Sequence, residues 1–221
     1  MTGGVTPDPM TMRGAAIAAS TLKRLFDLVF AAAGLLVTAP LWLMLSLAVK
    51  LHDGGPVFFH QERSGLAGRV FHVLKFRSMS VNAEHRGARQ AIANDPRVTR
   101  VGRWMRATAM DELPQLWNIL IGDMSVVGPR ALRPGEIEAH GSGVFEHLEE
   151  VPGFAVRSSV RPGLTGVAQI YADRNLPRRQ KFRYDRLYIR HQSFVLDLRL
   201  VMLSIWISLS GAWEIRGESR T

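Results

Sequence analysis

The chain contains no cysteine. That absence excludes disulfides, thiolate metal sites and cysteine nucleophiles, and it leaves the redox compartment open. Signatures that cradle nucleotide phosphates are also missing. There is no Walker A loop and no dinucleotide-binding glycine fingerprint, so no nucleotide fold follows from the glycines. Neither an internal repeat nor a low-complexity linker is visible, and nothing reads as a nucleic-acid recognition helix or an RNA-stacking motif. Negative charge is scarce: 19 Asp and Glu stand against 28 Lys and Arg, a formal net charge of +9. Such a surplus implies an anionic partner, whether nucleic acid, anionic lipid or phosphorylated metabolite. With no recognition motif, nucleic acid ranks last. The 221 residues suffice for one domain or a domain with appendages, and a hydrophobic content of 47% is ordinary for a globular core.

What is present begins with a Gly-, Pro-, Thr- and Ala-rich N-terminus without periodicity, read as a mobile tail. Leu28 to Val49 then runs 22 residues without a charge. As a straight helix it reaches about 33 Å, against a hydrocarbon core of about 30 Å. It is too long for the apolar region of a cleavable signal peptide. A simple span is one reading. However, Pro40 sits mid-stretch, where proline removes a backbone hydrogen bond and bends a helix. Lys23, Arg24 and Lys50 also place positive charge at both ends, so no orientation follows from charge bias. A helix–break–helix that enters and leaves by one leaflet fits both features.

Asp53-Gly-Gly-Pro56 is a turn signal. Val57–Phe59 and Val70–Leu74 read as short strands, and the loop from Gly65 to Gly68 makes them a hairpin. Further on, Leu113, Leu116, Trp117 and Leu120 follow helical spacing. Pro114 suits the first turn of that helix. This puts Asp111 and Glu112 on or just before the turn, where the helix dipole favours their ionised forms. Arg97, Arg100, Arg103 and Arg106 precede them. Two ionised carboxylates beside arginines suit a divalent metal and a phosphorylated substrate. An acidic helix start balanced by surface arginines fits the same segment.

Two later stretches, Gly122 to Gly135 and Arg161 to Gln169, punctuate basic residues with glycine and proline, as loops around anionic groups do. Residues 178–191 interleave basic and aromatic residues, either as a solvated helix face or as a contact for lipid headgroups or phosphate. Leu200 to Trp213 is uncharged but short for a span, and fits an interfacial or buried helix.

In order and spacing, these segments resemble the bacterial sugar transferase family, the monotopic phosphoglycosyl transferases. The resemblance runs from about Lys23 to Gly211. It is carried by Lys23-Arg24-x-x-Asp27, the apolar stretch with Pro40, and Gly55-Pro56-Val57-Phe58-Phe59-x-Gln61-x-Arg63-x-Gly65. Lys75-Phe76-Arg77-Ser78-Met79, Asp111-Glu112-Leu113-Pro114-Gln115, Val127-Gly128-Pro129-Arg130, Arg161-Pro162-Gly163 with Thr165-Gly166, and Tyr184-Asp185 continue it. Ala131, Val167 and Ile170-Tyr171-Ala172-Asp173 depart from the usual pattern and bear on substrate preference more than on chemistry. The absence of further N-terminal membrane helices resembles the minimal, one-domain form.

The resemblance implies an α+β fold, mainly helical with a small β-hairpin. It would comprise an N-terminal tail (1–21), a re-entrant membrane helix broken at Pro40 (22–52), and a cytoplasmic catalytic domain (53–221) ending in an interfacial helix. It implies transfer of a phosphosugar from a UDP-sugar to polyprenol (undecaprenyl) phosphate, with release of UMP, at the cytoplasmic face of the bacterial inner membrane. Asp111 would be the nucleophile that carries the phosphosugar, Glu112 a ligand of Mg²⁺ beside it, and Lys75, Arg106 and Arg130 the phosphate clamp. Lys75 also fits a plain surface lysine at a hairpin end. Asp185 is a further site candidate by motif position. Membrane lipid is an implied partner, nucleic acid is not, and a homo-oligomer stays open. Release of UDP or inorganic phosphate would point instead to another enzyme acting on polyprenol phosphates. A basic lipid-binding adaptor would be indifferent to Asp111→Asn.

Overall fold

The computed structural model describes residues 20–81, 95–139, 145–173 and 176–211, with Met12, Ala16, Ala83 and Trp213. Most of the expected N-terminal tail lies outside these residues. Helix α1 (Thr21–Asp53) is 33 residues long. The Ser20 side chain accepts from the Lys23 amide at 3.2 Å and starts it. Gly54, left-handed at φ 70°, ends it by donating to the Lys50 carbonyl. Pro40, where the sequence suggests a break, lies inside one continuous helix. A proline removes one rung of the backbone ladder, and the helical backbone continues on both sides of it.

The flanks of Pro40 rest on different parts of one body. Ala31, Phe26, Phe30 and Leu35 join the main core with Leu116, Ile119, Val126 and Tyr188. Leu45, Val49, Leu41 and Trp42 join a second cluster with Phe58, Phe76 and Met105. The opposite face is bare, with Leu36, Val37, Leu43, Met44 and Leu51 each more than two-thirds exposed. A buried charge cluster fixes the N-terminal half. Lys23 Nζ lies 2.9 Å from Asp27 and 3.0 Å from Asp197. Asp27 also accepts from Ser125 Oγ and the Val126 amide, and Asp197 from Tyr188 Oη. Arg24 donates to the carbonyls of Ile119 and Leu120.

Strands β1 (Phe58–Ser64) and β2 (Val70–Phe76) form the expected hairpin, paired from Phe58↔Phe76 to Ser64↔Val70. Alternation puts Phe71, Val73 and Lys75 on one face of β2, and their core-side packing aims Lys75 inward. Helix α2 (Arg100–Ala107), capped by Thr99, leads to a one-turn 3-10 segment, Met110–Glu112. Helix α3 (Gln115–Ile121) follows and stops at Gly122, φ 97°. Its buried residues are Gln115, Leu116, Asn118 and Ile119, whereas Trp117 is half exposed. Of the expected stripe, Leu113, Leu116 and Leu120 pack against the core, while Trp117 turns outward with Ile121 and Ile119 is buried instead.

Strand β3 (Ser125–Val127) lies parallel to β6 (Gly163–Thr165). This pair brings the two glycine- and proline-punctuated loops side by side. The approach requires glycine, since a Cβ on Gly163 would fall 2.0 Å from the Gly128 nitrogen. Between them come the short pair β4 (Ile137–Ala139) and β5 (Phe145–His147) and helix α4 (Phe154–Arg157). After β6 come α5 (Val167–Tyr171) and α6 (Arg178–His191), which buries Phe182, Asp185, Tyr188 and Ile189. Arg179, Arg183, Arg186 and Arg190 stay outside, so much of this basic run is a solvated face. Helix α7 (Phe194–Leu209) begins earlier than its uncharged run suggested. Asp197 lies in its buried face, which hides the start from a search for uncharged residues.

Candidate active site

Asp111 and Glu112 reach the surface of a cleft on a tight corner. Thr108 ends α2, and Ala109 adopts a left-handed backbone, φ 55° and ψ 19°. For a residue with a Cβ this costs on the order of 1–2 kcal/mol, the kind of strain that packed surroundings must hold in place. The 3-10 turn then presents the two carboxylates just ahead of Pro114, as the spacing led one to expect.

Their environments differ. Glu112 Oε1 accepts from Lys75 Nζ at 2.5 Å and from Arg130 Nη2 at 3.0 Å. Burial would raise the Glu112 carboxyl, but Arg130 and Lys75 overcome it and hold the group ionised, far below the usual carboxylate range. No hydrogen bond reaches the Asp111 carboxylate from the described residues. Burial, opposed by Lys75 and reinforced by Glu112, pushes its pKa up to about 6. Arg106 on α2 lines the same cleft and favours the ionised form of Asp111. The Arg130 side chain is 48% exposed, so it can hold Glu112 and still meet a ligand.

Asp185 lines the cleft as well, but its carboxylate accepts from Arg157 Nε at 3.0 Å. Arg157 in turn donates to the Arg130 carbonyl and stacks 4.8 Å from the Phe182 ring centroid. The geometry thus gives Asp185 a supporting contact behind the Arg130 loop. Motif reading did not single out Arg157 as a site residue, nor Arg63. Arg63 donates to the Ala131 carbonyl and to Gln61. Burial, then Arg130 and Arg133, push its pKa down to about 10. A signal for Arg63 existed in the hairpin, because it pairs with inward-facing Phe71 and so shares a face with Lys75.

The cleft holds about 1940 Å³. The carboxylates and cations of the dyad line it. Its lining also includes Phe30 and Leu41 of α1 and Ile205 of α7. Among the described residues no group of three or more His, Asp or Glu could enclose a metal. The Asp111–Glu112 pair still suits Mg²⁺, which commonly takes one or two carboxylates and completes its shell with water and substrate phosphate. Asp111 has no donor from the described residues, and Glu112 is held there only through Oε1.

Fold and site together set two carboxylates among cations beside a long apolar helix. The chain belongs to the bacterial sugar transferase family, whose pattern matches residues 18–211. An undecaprenyl-phosphate glucose phosphotransferase of Komagataeibacter xylinus is 44% identical over 191 residues, covering 83% of this chain and 35% of that protein. An exopolysaccharide production protein of Rhizobium leguminosarum bv. phaseoli is 42% identical over 186 residues, 81% of this chain and 91% of that one. A UDP-N-acetylgalactosamine–undecaprenyl-phosphate N-acetylgalactosaminephosphotransferase of Aeromonas hydrophila is 38% identical over 193 residues, 86% of this chain and 44% of that one. The chain therefore spans little more than a third of the Komagataeibacter relative.

Proposed function

We propose that this protein transfers a phosphosugar from a UDP-sugar to polyprenol phosphate, releasing UMP, as a membrane step of bacterial surface-glycan assembly. The relatives named for glucose and N-acetylgalactosamine transfer to undecaprenyl phosphate support the substrate classes. One observation carries the reading: two adjacent carboxylates held in unlike states. Glu112 is clasped by Lys75 and Arg130, while Asp111 lies in the same cleft without a hydrogen-bond donor from the described residues.

The chemistry follows from that asymmetry. An Asp111 oxygen attacks the sugar-bearing phosphorus. A new P–O bond forms, and the bond to the bridging oxygen breaks with its electron pair leaving on UMP. An oxygen of the acceptor phosphate then attacks the same phosphorus and frees the carboxylate, giving a polyprenol diphosphate sugar. An acyl phosphate suits this relay because it is itself a good donor. Lys75, Arg106 and Arg130 stabilise charge on the transferring oxygens. Asp111 and Glu112 would hold Mg²⁺, which supplies charge neutralisation at the phosphate oxygens.

The protein would sit in one leaflet, at the cytoplasmic face of the inner membrane. Both halves of α1 rest on the same body, whereas a helix crossing the bilayer would carry one end away from it. Its bare apolar face and the outward Val195, Trp206 and Leu209 of α7 supply lipid-facing surface. On this view residues 22–52 form the membrane element and residues 53–221 the cytoplasmic catalytic part. The polar lining of the cleft would hold the acceptor phosphate at headgroup level.

The test is product analysis with purified protein, polyprenol phosphate, Mg²⁺ and a panel of UDP-sugars. UMP and a lipid-linked diphosphate sugar are expected. Release of UDP or inorganic phosphate instead would overturn the reading. Labelling of residues 1–20 and 60–190 from opposite sides of the membrane would overturn the one-leaflet seat.

A further inference from the structure

Arg130 lines the cleft with its guanidinium on Glu112 at 3.0 Å and its side chain 48% exposed. The backbone from 129 to 132 lies outside the strands. Pro129, Ala131 and Leu132 are buried around exposed Arg130, so the carbonyls here need protein donors in place of water. The Gly163 amide of β6 donates to the Pro129 carbonyl at 2.8 Å, and the Ser64 amide of β1 to the Leu132 carbonyl at 2.8 Å. Arg63 Nη1 donates to the Ala131 carbonyl at 3.1 Å. Arg157 Nη2, at the end of α4, donates to the carbonyl of Arg130 itself. Each carbonyl of this stretch is answered, and the one beneath the site cation is answered by a side chain.

Arg157 is placed to give direction rather than charge. Its side chain is 5% exposed, and Asp185, equally buried, accepts from its Nε at 3.0 Å. The guanidinium carbon lies 4.8 Å from the ring centroid of Phe182, one turn before Asp185 on α6. Carboxylate and ring together fix the plane of the guanidinium, which leaves Nη2 one direction in which to donate. A buried ion pair is a weak source of stability, and two apolar side chains of similar volume often serve packing as well. Apolar side chains could not donate to the Arg130 carbonyl. That donation is the part of the pair which packing does not explain.

We propose that Arg157, oriented by Asp185 and Phe182, is a positioning residue that holds Arg130 in place for phosphosugar transfer through its main-chain carbonyl. This rests on the transferase reading, in which the Arg130 guanidinium stabilises charge on the transferring oxygens. Arg157 acts through Arg130 and not on the phosphate. Fixing the carbonyl fixes the Cα from which the Arg130 side chain extends. A shift of about 1 Å there would draw the guanidinium away from Glu112 and from the transferring phosphate together.

The experiment uses the full chain in detergent. Melting temperature, and kcat and KM for UDP-sugar-dependent UMP release, are measured for wild type, Arg130→Met, the pair variant Arg157→Met/Asp185→Leu, and all three substitutions combined. The pair variant removes both buried charges at once and is expected to melt within about 5 °C of wild type. Its kcat should fall about 10- to 100-fold, with KM changed less than about threefold. Added to Arg130→Met, the pair should cost less than about twofold more, because no guanidinium is left to position. Wild-type kcat in the folded pair variant overturns the proposal, since the pair would then serve stability alone. A loss that multiplies in full with that of Arg130→Met also overturns it, because Arg157 would then act elsewhere. Should the pair variant not fold, Arg157→Lys takes its place: it keeps a cation for Asp185 but lacks the planar fork that serves two acceptors, and wild-type kcat there overturns the proposal. No UMP release by wild type with any UDP-sugar overturns the transferase reading itself, and this role with it.

Discussion

Lys23 and Lys75 each pair with a carboxylate, at 2.9 Å to Asp27 and 2.5 Å to Glu112, yet the two assemblies leave different things undone. Around Lys23, each carboxylate has further donors: Ser125 and the Val126 amide for Asp27, and Tyr188 for Asp197. All of these side chains are buried, and they tie α1 to β3, α6 and α7. Around Lys75, Glu112 is satisfied on one oxygen while its neighbour Asp111 has no donor from the described residues. The first assembly closes on itself and holds structure. The second is left open on the side that faces the cleft. Similar side chains thus separate a strut from a site by how completely each charge is answered.

Breaking each assembly should therefore give opposite signatures. The largest expected effect is on chemistry. Asp111→Asn should lower UMP release about 10³-fold or more, with an unchanged or slightly raised melting temperature, since it removes a half-buried charge that has no hydrogen-bond donor from the described residues. Next comes Lys75→Met, which loosens Glu112 and removes a cation from the phosphate; a loss of about 10²-fold in UMP release is expected. Lys23→Met should do the reverse. It leaves Asp27 and Asp197 facing each other without their cation, and a stability loss of about 3–5 kcal/mol should appear in denaturant melts. Residual folded protein should keep its turnover per molecule.

A pH profile sharpens the contrast. In the proposed mechanism Asp111 attacks as the carboxylate, and burial pushes its pKa up to about 6. Acceptor-free UMP release should hold above that value and fall about tenfold per unit below it. Higher Mg²⁺ should move the acid limb to lower pH, because a nearby cation favours the ionised form. Smallest of all, Arg183→Ala on the solvated face of α6 should change stability by less than about 0.5 kcal/mol and leave UMP release alone.

Local features could be read from residue order. Alternation and Gly65–Gly68 marked the hairpin, and Pro114 with the following apolar residues placed Asp111 and Glu112 ahead of a helix. Long-range features could not. Asp197 joins Lys23 across most of the chain, and nothing in its own neighbourhood announces that. Strands β3 and β6 are three residues each, too short for a periodic signal, yet they bring the two loops together. Arg157 reaches the site only through the Arg130 carbonyl and Asp185, a relation with no footprint in spacing. At Pro40 the sequence carried a real signal of a lost hydrogen bond, yet the helical backbone runs on through it.

The most direct measurement is intact-protein mass spectrometry of the full chain after mixing with UDP-sugars and Mg²⁺ in the absence of acceptor. A mass gain of one phosphosugar is expected for wild type, lost with Asp111→Asn and chased off by polyprenol phosphate. UMP release that begins only when polyprenol phosphate is added, with no adduct at any time, would contradict the nucleophile role of Asp111.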